Sequence, residues 1–150
     1  MPDSVGITDD GLQPCPDTPN CVRSGDGGQP PFTPRQNLAN GWEEVVDVAA
    51  TLPRTRVVTR TDRYAHLEVT SLIFRFVDDL ELLWDPEAGV IHFRSASRLG
   101  QGDLGVNQKR IDKLREMLSG ADLLLGSDAL APQPRAPTRV IRKAESSEEW

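Results

Sequence analysis

The stretch YAHLEVTSLIFRFVDDLELLWD, Tyr64–Asp85, decides the fold. Polar and apolar residues alternate along it, and a period of two is that of a β-strand whose two faces differ in polarity. One face of the first strand carries Ala65, Leu67 and Val69, and the other carries Tyr64, His66, Glu68 and Thr70. We extend the apolar alternation through Leu72, Phe74 and Phe76, place a turn or bulge at Asp78 and Asp79, and resume the alternation at Leu80, Leu82 and Trp84. The stretch therefore predicts antiparallel strands with one apolar and one polar face.

The segments on either side continue this pattern. The sequence DPEAG, at 85–89, is typical of a hairpin connection, because it combines turn-forming residues between two apolar runs. The next strand begins at Val90 and directs Ile91 and Phe93 to the apolar face. Upstream, VVT at 57–59 is a short β-branched run that favours a further strand. Together these segments predict an antiparallel sheet of four to five strands.

Amphipathic helices flank the predicted sheet. Asn40 can cap the first helix, and Glu43 lies three residues later, as a capping box requires. The apolar stripe of this helix is Trp42, Val45, Val46, Ala49 and Leu52, and Pro53 ends it. The stripe of the second helix is Ile111, Leu114, Met117 and Leu118, and Gly120 caps its end. We therefore predict an α+β fold, a two-layer sandwich in which two helices pack on one face of the sheet.

The turn-forming residues divide the chain into three parts. Seven of the 12 prolines lie in residues 1–40, which we interpret as a Pro/Gly-rich arm that wraps the domain or is partly mobile. Residues 41–125 form the α+β core domain, and residues 126–150 form a flexible charged tail. The predicted domain is thus a single core with two flanking segments.

Composition and charge exclude several classes of function. The 150 residues contain 17 basic and 23 acidic side chains, a net charge of −6. Such a chain lacks the basic footprint of a nucleic-acid-binding protein or of a protein held on anionic lipid. It has no apolar run long enough for a membrane span, and its N-terminus MPDSVGITDDGL lacks the basic and apolar regions of a secretory signal. We therefore expect a cytoplasmic protein.

Cys15 and Cys21 are the two cysteines of the chain. They leave three interpretations open: structural thiols or a local disulfide, a redox-labile pair, or a share in a metal site. The spacing does not match a zinc site, which needs four ligands, and we assign no metal. The histidines His66 and His92 lie on the predicted polar face, where we expect hydrogen-bonded side chains in preference to metal ligands.

The densest polar segment is RSASRLGQGDLGVNQKR, residues 94–110. Its glycines let backbone N–H groups approach a ligand, its guanidinium groups suit carboxylate or phosphate, and a helix N-terminus favours anions. The candidate ligand-binding residues are Asp78, Asp79, Arg94, Ser95, Ser97, Arg98, Asp103, Asn107 and Arg110. In a structural interpretation of the same segment, Asp103 or Asn107 caps the second helix, and Arg94 and Arg98 pair with carboxylates on neighbouring strands, namely Asp78, Asp79 or Glu81. Because adjacent strand residues point to opposite faces, at most one of Asp78 and Asp79 would face a pocket.

Three motifs resemble a known family. They are CPDTPNCVRS at 15–24, YAHLEVTSLIFRFVDDLEL at 64–82 and RSASRLGQGDLGVNQKRI at 94–111, and in this order they resemble the bacterial and plant family catalogued as domain of unknown function 1499. The resemblance covers about residues 14–120. It implies a single domain, and it implies that the cysteine pair, the aspartate pair and the 94–110 segment are signature positions that meet in space. Members of the family often carry a leader, a lipid anchor or membrane segments, and no established activity comes with the resemblance.

We therefore expect a small binding or interaction domain without catalysis, with a site for a polar or anionic ligand near Arg94–Arg110. Its partner would be a small anionic ligand or another protein, not a nucleic acid, and no cofactor is implied. One alternative is an enzyme of unknown reaction that uses Asp78, Arg94, Arg98 and Asp103. Another is a thiol-redox role for Cys15 and Cys21.

Overall fold

The computed structural model describes residues 5–16, 20–25, 28–35, 40–99 and 105–125. The strands are β1 (Ile7–Thr8), β2 (Gly11–Leu12), β3 (Cys21–Arg23), β4 (Thr55–Arg60), β5 (Tyr64–Thr70), β6 (Val77–Asp85) and β7 (Val90–Ser97). The helices are α1 (Gly41–Ala50) and α2 (Val106–Gly120). Asp103 and the tail 126–150 lie outside the described residues. Neither described helix has the length and apolar character needed to cross a membrane.

The main sheet has five strands in the order β3-β7-β6-β5-β4, and every pairing is antiparallel. Strands β4 to β7 form a meander of hairpins, whereas β3 comes from the N-terminal arm and adds to the far edge. On the outer edge of β3, the following segment of the arm forms a hydrogen bond: the backbone N–H of Gln29 donates to the carbonyl of Arg23 over 3.1 Å. The other edge is β4, on which Arg56, Val58 and Arg60 are exposed.

The core lies between the apolar face of the sheet and the two helices, which confirms the predicted α+β sandwich. Its members from the sheet are Ala65, Leu67, Val69, Leu80, Leu82, Ile91 and Phe93, and those from α1 and α2 are Trp42, Val45, Val46, Ala49, Ile111, Leu114 and Leu118. Phe32 extends the core from the arm, because its ring lies 4.9 Å from that of Phe93, centroid to centroid. The guanidinium group of Arg115 on α2 lies over the ring of Phe32, 4.7 Å from its centroid.

The prediction was wrong at the hairpin between β5 and β6. We placed Phe74 and Phe76 on the buried apolar face and a break at Asp78 and Asp79, but β6 runs unbroken through both aspartates. The chain turns earlier, at 71–76, where the backbone N–H of Ser71 donates to the carbonyl of Phe76 over 2.8 Å. Alternation of apolar residues continues through this turn, and periodicity alone cannot distinguish a strand from an apolar loop.

The N-terminal arm contains strands that the sequence did not predict, because segments of two or three residues are too short to show a period. The β1–β2 hairpin lies over the polar face of the main sheet, where Val5 and Leu12 are buried. The arm consequently covers part of the polar face of the main sheet.

The helix ends also differ from the prediction. Asn40 precedes α1, but its side chain makes no capping hydrogen bond. Before α2 stands Gly105 with φ 80°, a left-handed conformation that glycine adopts without strain, and no side chain caps this helix either. At the other end, Gly120 is the last helical residue, and Asp122 takes the left-handed position with φ 63°.

Candidate functional site

The sheet itself divides the predicted site. Asp78 and Asp79 are consecutive on β6, and their side chains leave the sheet on opposite faces. Asp78 joins a helix-side cluster, which consists of Asp78, Ser95, Ser97, Asn107 and Arg110. Asp79 joins an arm-side cluster, which consists of Tyr64, His66, Glu68, Asp79, Glu81, Arg94 and Arg98. The candidate residues therefore form two groups with a layer of backbone between them.

In the helix-side cluster, Arg110 connects α2 to the sheet. Its Nη2 donates to Asp78 Oδ2 over 2.9 Å, and its Nη1 donates to Asn107 Oδ1 over 2.7 Å and to Ser95 Oγ over 3.0 Å. Ser95 Oγ in turn donates to Asn107 Oδ1 over 2.6 Å. Asn107 Nδ2 donates to Ser97 Oγ over 2.9 Å and to the carbonyl of Asn20 over 3.2 Å.

These bonds explain why Asn107 does not cap its helix. Its amide faces inward and joins the start of α2 to β7 and to the residue before Cys21. Asp78, Asn107 and Arg110 are all buried, so the ion pair and its hydrogen bonds replace the water that these groups lose on folding. The helix-side cluster thus has the bonding of a network that fastens α2 to the sheet.

In the arm-side cluster, Asp79 accepts hydrogen bonds from two cationic or polar partners. Arg98 binds both of its carboxylate oxygens, with Nε 2.9 Å from Oδ2 and Nη2 2.8 Å from Oδ1, and His66 Nε2 lies 2.6 Å from Oδ1. Burial alone would raise the pKa of Asp79, but the hydrogen bonds from Arg98 and His66 outweigh burial and hold the pKa below its usual value. Arg98 also donates to Glu68 over 2.6 Å, and this bond is the main reason that the pKa of Glu68 is lowered.

Deeper under the arm, Glu81 and Arg94 form a buried pair. Their closest charged atoms, Arg94 Nη1 and Glu81 Oε1, are 3.6 Å apart. The other carboxylate oxygen of Glu81 accepts from the Tyr64 hydroxyl over 2.6 Å and from the backbone N–H of Gly6 over 2.7 Å. Arg94 Nη2 donates to the carbonyl of Pro14 over 3.3 Å, so both members of the pair are held by the arm.

Several atoms of this pair are buried without a hydrogen-bond partner. They are Glu81 Oε1 and the Nε and Nη1 of Arg94. Most buried polar groups in proteins have such a partner. A buried polar group without one can be satisfied by a ligand, by water or by a change of conformation. From the sequence we named Arg94 as a candidate ligand-binding residue. We considered Glu81 only as a possible ion-pair partner, and we did not name Tyr64 as part of the site. The alternation that places Glu81 on the same face as Asp79 was the available signal.

Next to Arg94, the arm and β3 border a cleft of about 620 Å³. Its lining includes Pro14, Arg23, Gln29 and both cysteines. Cys15 and Cys21 are joined as a disulfide, with their Cα atoms 5.6 Å apart. Strand pairing places Arg23 directly opposite Arg94 on the same face of the sheet.

A second cleft, of about 480 Å³, lies at the other end of the sheet between Trp42 and Trp84. None of the candidate residues named from the sequence lines it. Among the residues that the structure describes, no group of three or more histidine, cysteine, aspartate or glutamate side chains is arranged to hold a metal ion. His66 is instead bonded to Asp79, and His92 Nδ1 lies 3.0 Å from Ser24 Oγ.

One comparison with known proteins gives a match. A family model described as "Protein of unknown function (DUF1499)" matches residues 11–118, which is more than half of the chain, and the protein belongs to this family. The match confirms the resemblance inferred from the three motifs. Neither a curated protein nor a solved structure matches the chain.

Proposed function

We propose that this member of the DUF1499 family is a non-catalytic binding domain for a small anion, a carboxylate or a phosphate, taken up at the cleft beside Arg23 and Arg94. The observation that carries the proposal is the state of Arg94. Its guanidinium group is buried, it faces Glu81 across 3.6 Å, and its Nε and Nη1 have no hydrogen-bond partner. Both donors are buried behind Pro14, whose carbonyl accepts from Arg94 Nη2, so an anion in the cleft would reach them through a shift of this arm segment.

The charge around Arg94 supports an anionic ligand. Arg23 lies opposite it, and its Nε and Nη1 donate to the backbone carbonyls of Ser24 and Leu12 over 2.9 and 3.1 Å. Burial lowers the pKa of Arg94, and repulsion from Arg23 lowers it further, although Glu81 opposes both effects. Arg23 thus adds positive charge beside the buried pair of Arg94 and Glu81, and an anion in the cleft would relieve the repulsion between the two guanidinium groups.

The arrangement gives less support to an enzyme built on Asp78, Arg94 and Arg98. The sheet separates Asp78 from both arginines, and Asp78 is engaged by Arg110. The carboxylate of Asp79 is likewise bound at both oxygens by Arg98. A general acid or base has to reach a substrate within hydrogen-bond distance, and these carboxylates are already occupied by partners of the same chain.

A redox role of the cysteine pair is the second candidate, and one observation favours it. Cys15 and Cys21 line the same cleft and are each partly exposed, so a dithiol reductant could reach the bond. Pro14, which accepts a hydrogen bond from Arg94, is the neighbour of Cys15. Opening the disulfide would therefore loosen a segment that borders the proposed anion site.

The test is thermal unfolding of the protein with inorganic phosphate, with citrate, and with glucose as an uncharged control. We expect phosphate or citrate to stabilise the fold, by about 2.7 kcal/mol when its concentration is 100 times the Kd, whereas glucose has no effect. Arg23→Gln should remove most of the shift, and Arg63→Gln, which changes an exposed arginine away from the cleft, should leave it intact.

Absence of a shift with either anion, or an equal shift in Arg23→Gln, would contradict the anion-binding proposal. The same thermal unfolding measurement on protein reduced with dithiothreitol tests the second candidate, the redox role of the cysteine pair, separately from anion binding. A shift that depends on the disulfide would show that the redox state of the cysteines controls the cleft.

A further inference from the structure

The hairpin loop between β5 and β6 exposes most of its apolar side chains. Leu72, Ile73, Phe74 and Phe76 have exposed fractions of 65%, 77%, 72% and 50%. Leu99 follows β7 at the same end of the sheet and is 66% exposed. We call these five residues the apolar tip. Scattered exposed apolar residues are ordinary, but a contiguous group at one end of a domain marks an interaction surface.

We propose that the apolar tip inserts into the interfacial region of a lipid bilayer that contains anionic lipids. The rings of Phe74 and Phe76 stack with centroids 5.7 Å apart, so these two side chains form one apolar surface. Ser71 closes the turn at its base through its hydroxyl, which accepts from the backbone N–H of Phe76 over 2.8 Å. The tip therefore keeps its shape without burying its side chains in the protein.

The charges around the tip favour anionic headgroups. Arg75 lies between the two phenylalanines and is exposed. Of the described carboxylates, Glu68, Asp78 and Asp79 lie near this end of β5 and β6, and each accepts hydrogen bonds from an arginine. Arg75 takes part in none of these ion pairs, and it places an exposed guanidinium group within the apolar tip. The net charge of −6 led us to expect no attraction to anionic lipid, but that charge is spread over the whole chain, and acids farther from the tip than about 8 Å are largely screened at physiological salt.

The size of the tip favours a bilayer over a protein. A stable protein–protein interface buries about 800 Å² on each partner and uses roughly 20–30 residues of each. The apolar tip has only five side chains, four from the turn at 71–76 and Leu99 after β7. A bilayer needs no matching surface of that size, because its hydrocarbon accepts any apolar group that reaches it, and arginines next to the apolar group add attraction to anionic lipids.

The test is flotation of the full 150-residue protein with vesicles, either of phosphatidylcholine alone or of equal parts phosphatidylcholine and phosphatidylglycerol. We expect binding to the mixed vesicles. Ile73→Ser/Phe74→Ser should lower the partition coefficient by about tenfold or more, because it removes the two most exposed apolar side chains. Arg75→Gln should lower it by about fivefold, an effect that added salt reproduces in the wild type.

Val58→Ser is the matched control, because Val58 is an exposed apolar residue on the edge strand β4, outside the tip. It should bind as the wild type does, and circular dichroism of all variants checks that they fold. The proposal is overturned if the wild type binds neither kind of vesicle, or if the double variant binds as well as the wild type. A dimer that the double variant converts to a monomer, without vesicle binding, would instead identify a second copy of the chain as the occupant.

Discussion

The buried pair of Glu81 and Arg94 allows a quantitative test of what the arm does for the fold. We consider three variants: Glu81→Leu, Arg94→Met and the combination of both. Each single change leaves one charged group buried without its partner, since the exposed fractions of the two residues are 0% and 2%. The double change leaves two apolar side chains of similar size beneath the β1–β2 hairpin.

The expected coupling free energy follows from the distance between the two charged groups. At 3.6 Å, the attraction between the two charges is about 5 kcal/mol at an effective dielectric constant of 20. Removing one partner of a buried pair costs about 3–5 kcal/mol, whereas replacing both by apolar residues is often neutral or stabilising. Glu81 also accepts from Tyr64 and Gly6, so Glu81→Leu should be the more damaging of the single changes. The double variant should lose much less stability than the two single losses added together.

The assay is urea unfolding of the wild type and the three variants, followed by circular dichroism. We expect a coupling free energy of about 3 kcal/mol, obtained from the double-mutant cycle. The reasoning fails if the single losses add to within about 0.5 kcal/mol of the loss in the double variant, because the two side chains would then act independently.

Two further predictions concern titration. Tyr64 is the only tyrosine of the chain, and burial, followed by its hydrogen bond to Glu81, raises its pKa far above the usual value of about 10. The contribution of the buried Tyr64 hydroxyl to stability is complete below pH 10 and declines as the pH rises further. The absorbance of tyrosinate should therefore appear only as the protein unfolds in alkali. Ionisation of Tyr64 in the folded protein near pH 10 would refute its burial. Asp79 behaves in the opposite sense, because its folded pKa is lowered: its contribution is complete above about pH 5 and is lost as the pH falls through the lowered pKa. Urea unfolding between neutral and acidic pH should therefore show a shallower decline in Asp79→Asn than in the wild type, and equal slopes would exclude this carboxylate as a main cause of acid destabilisation.

The helices and most of the sheet could be predicted from the sequence, because their periods are long enough to be read. The stripe of α1 from Trp42 to Ala49 is buried as expected, and Ile91 and Phe93 face the core. The turn at 71–76 could not be located, since its apolar residues imitate a strand. These apolar side chains are exposed because the chain reverses direction there. The position of the reversal depends on how β5 pairs with β6.

The candidate site was only partly accessible to the same reasoning. The alternation rule correctly separated Asp78 from Asp79, and the structural interpretation anticipated that Arg98 would pair with Asp79. Sequence reasoning could not reveal that the arm folds over the polar face, because β1 and β2 have two residues each and are too short to show a period. Burial of Glu81 beneath Gly6 is a contact between residues 75 positions apart, and a local pattern contains no information about it.

The edges of the main sheet limit how the protein can associate. A sheet grows into a polymer when an outer strand leaves a long, uncharged row of backbone groups for another chain to join. On one side, β3 has only three residues, and its outward carbonyl at Arg23 is already bonded to Gln29. On the other, β4 presents Arg56 and Arg60 to solvent, and strand addition by a second copy would bring like charges together. Both edges of the main sheet therefore disfavour fibril growth by addition of further copies of this chain.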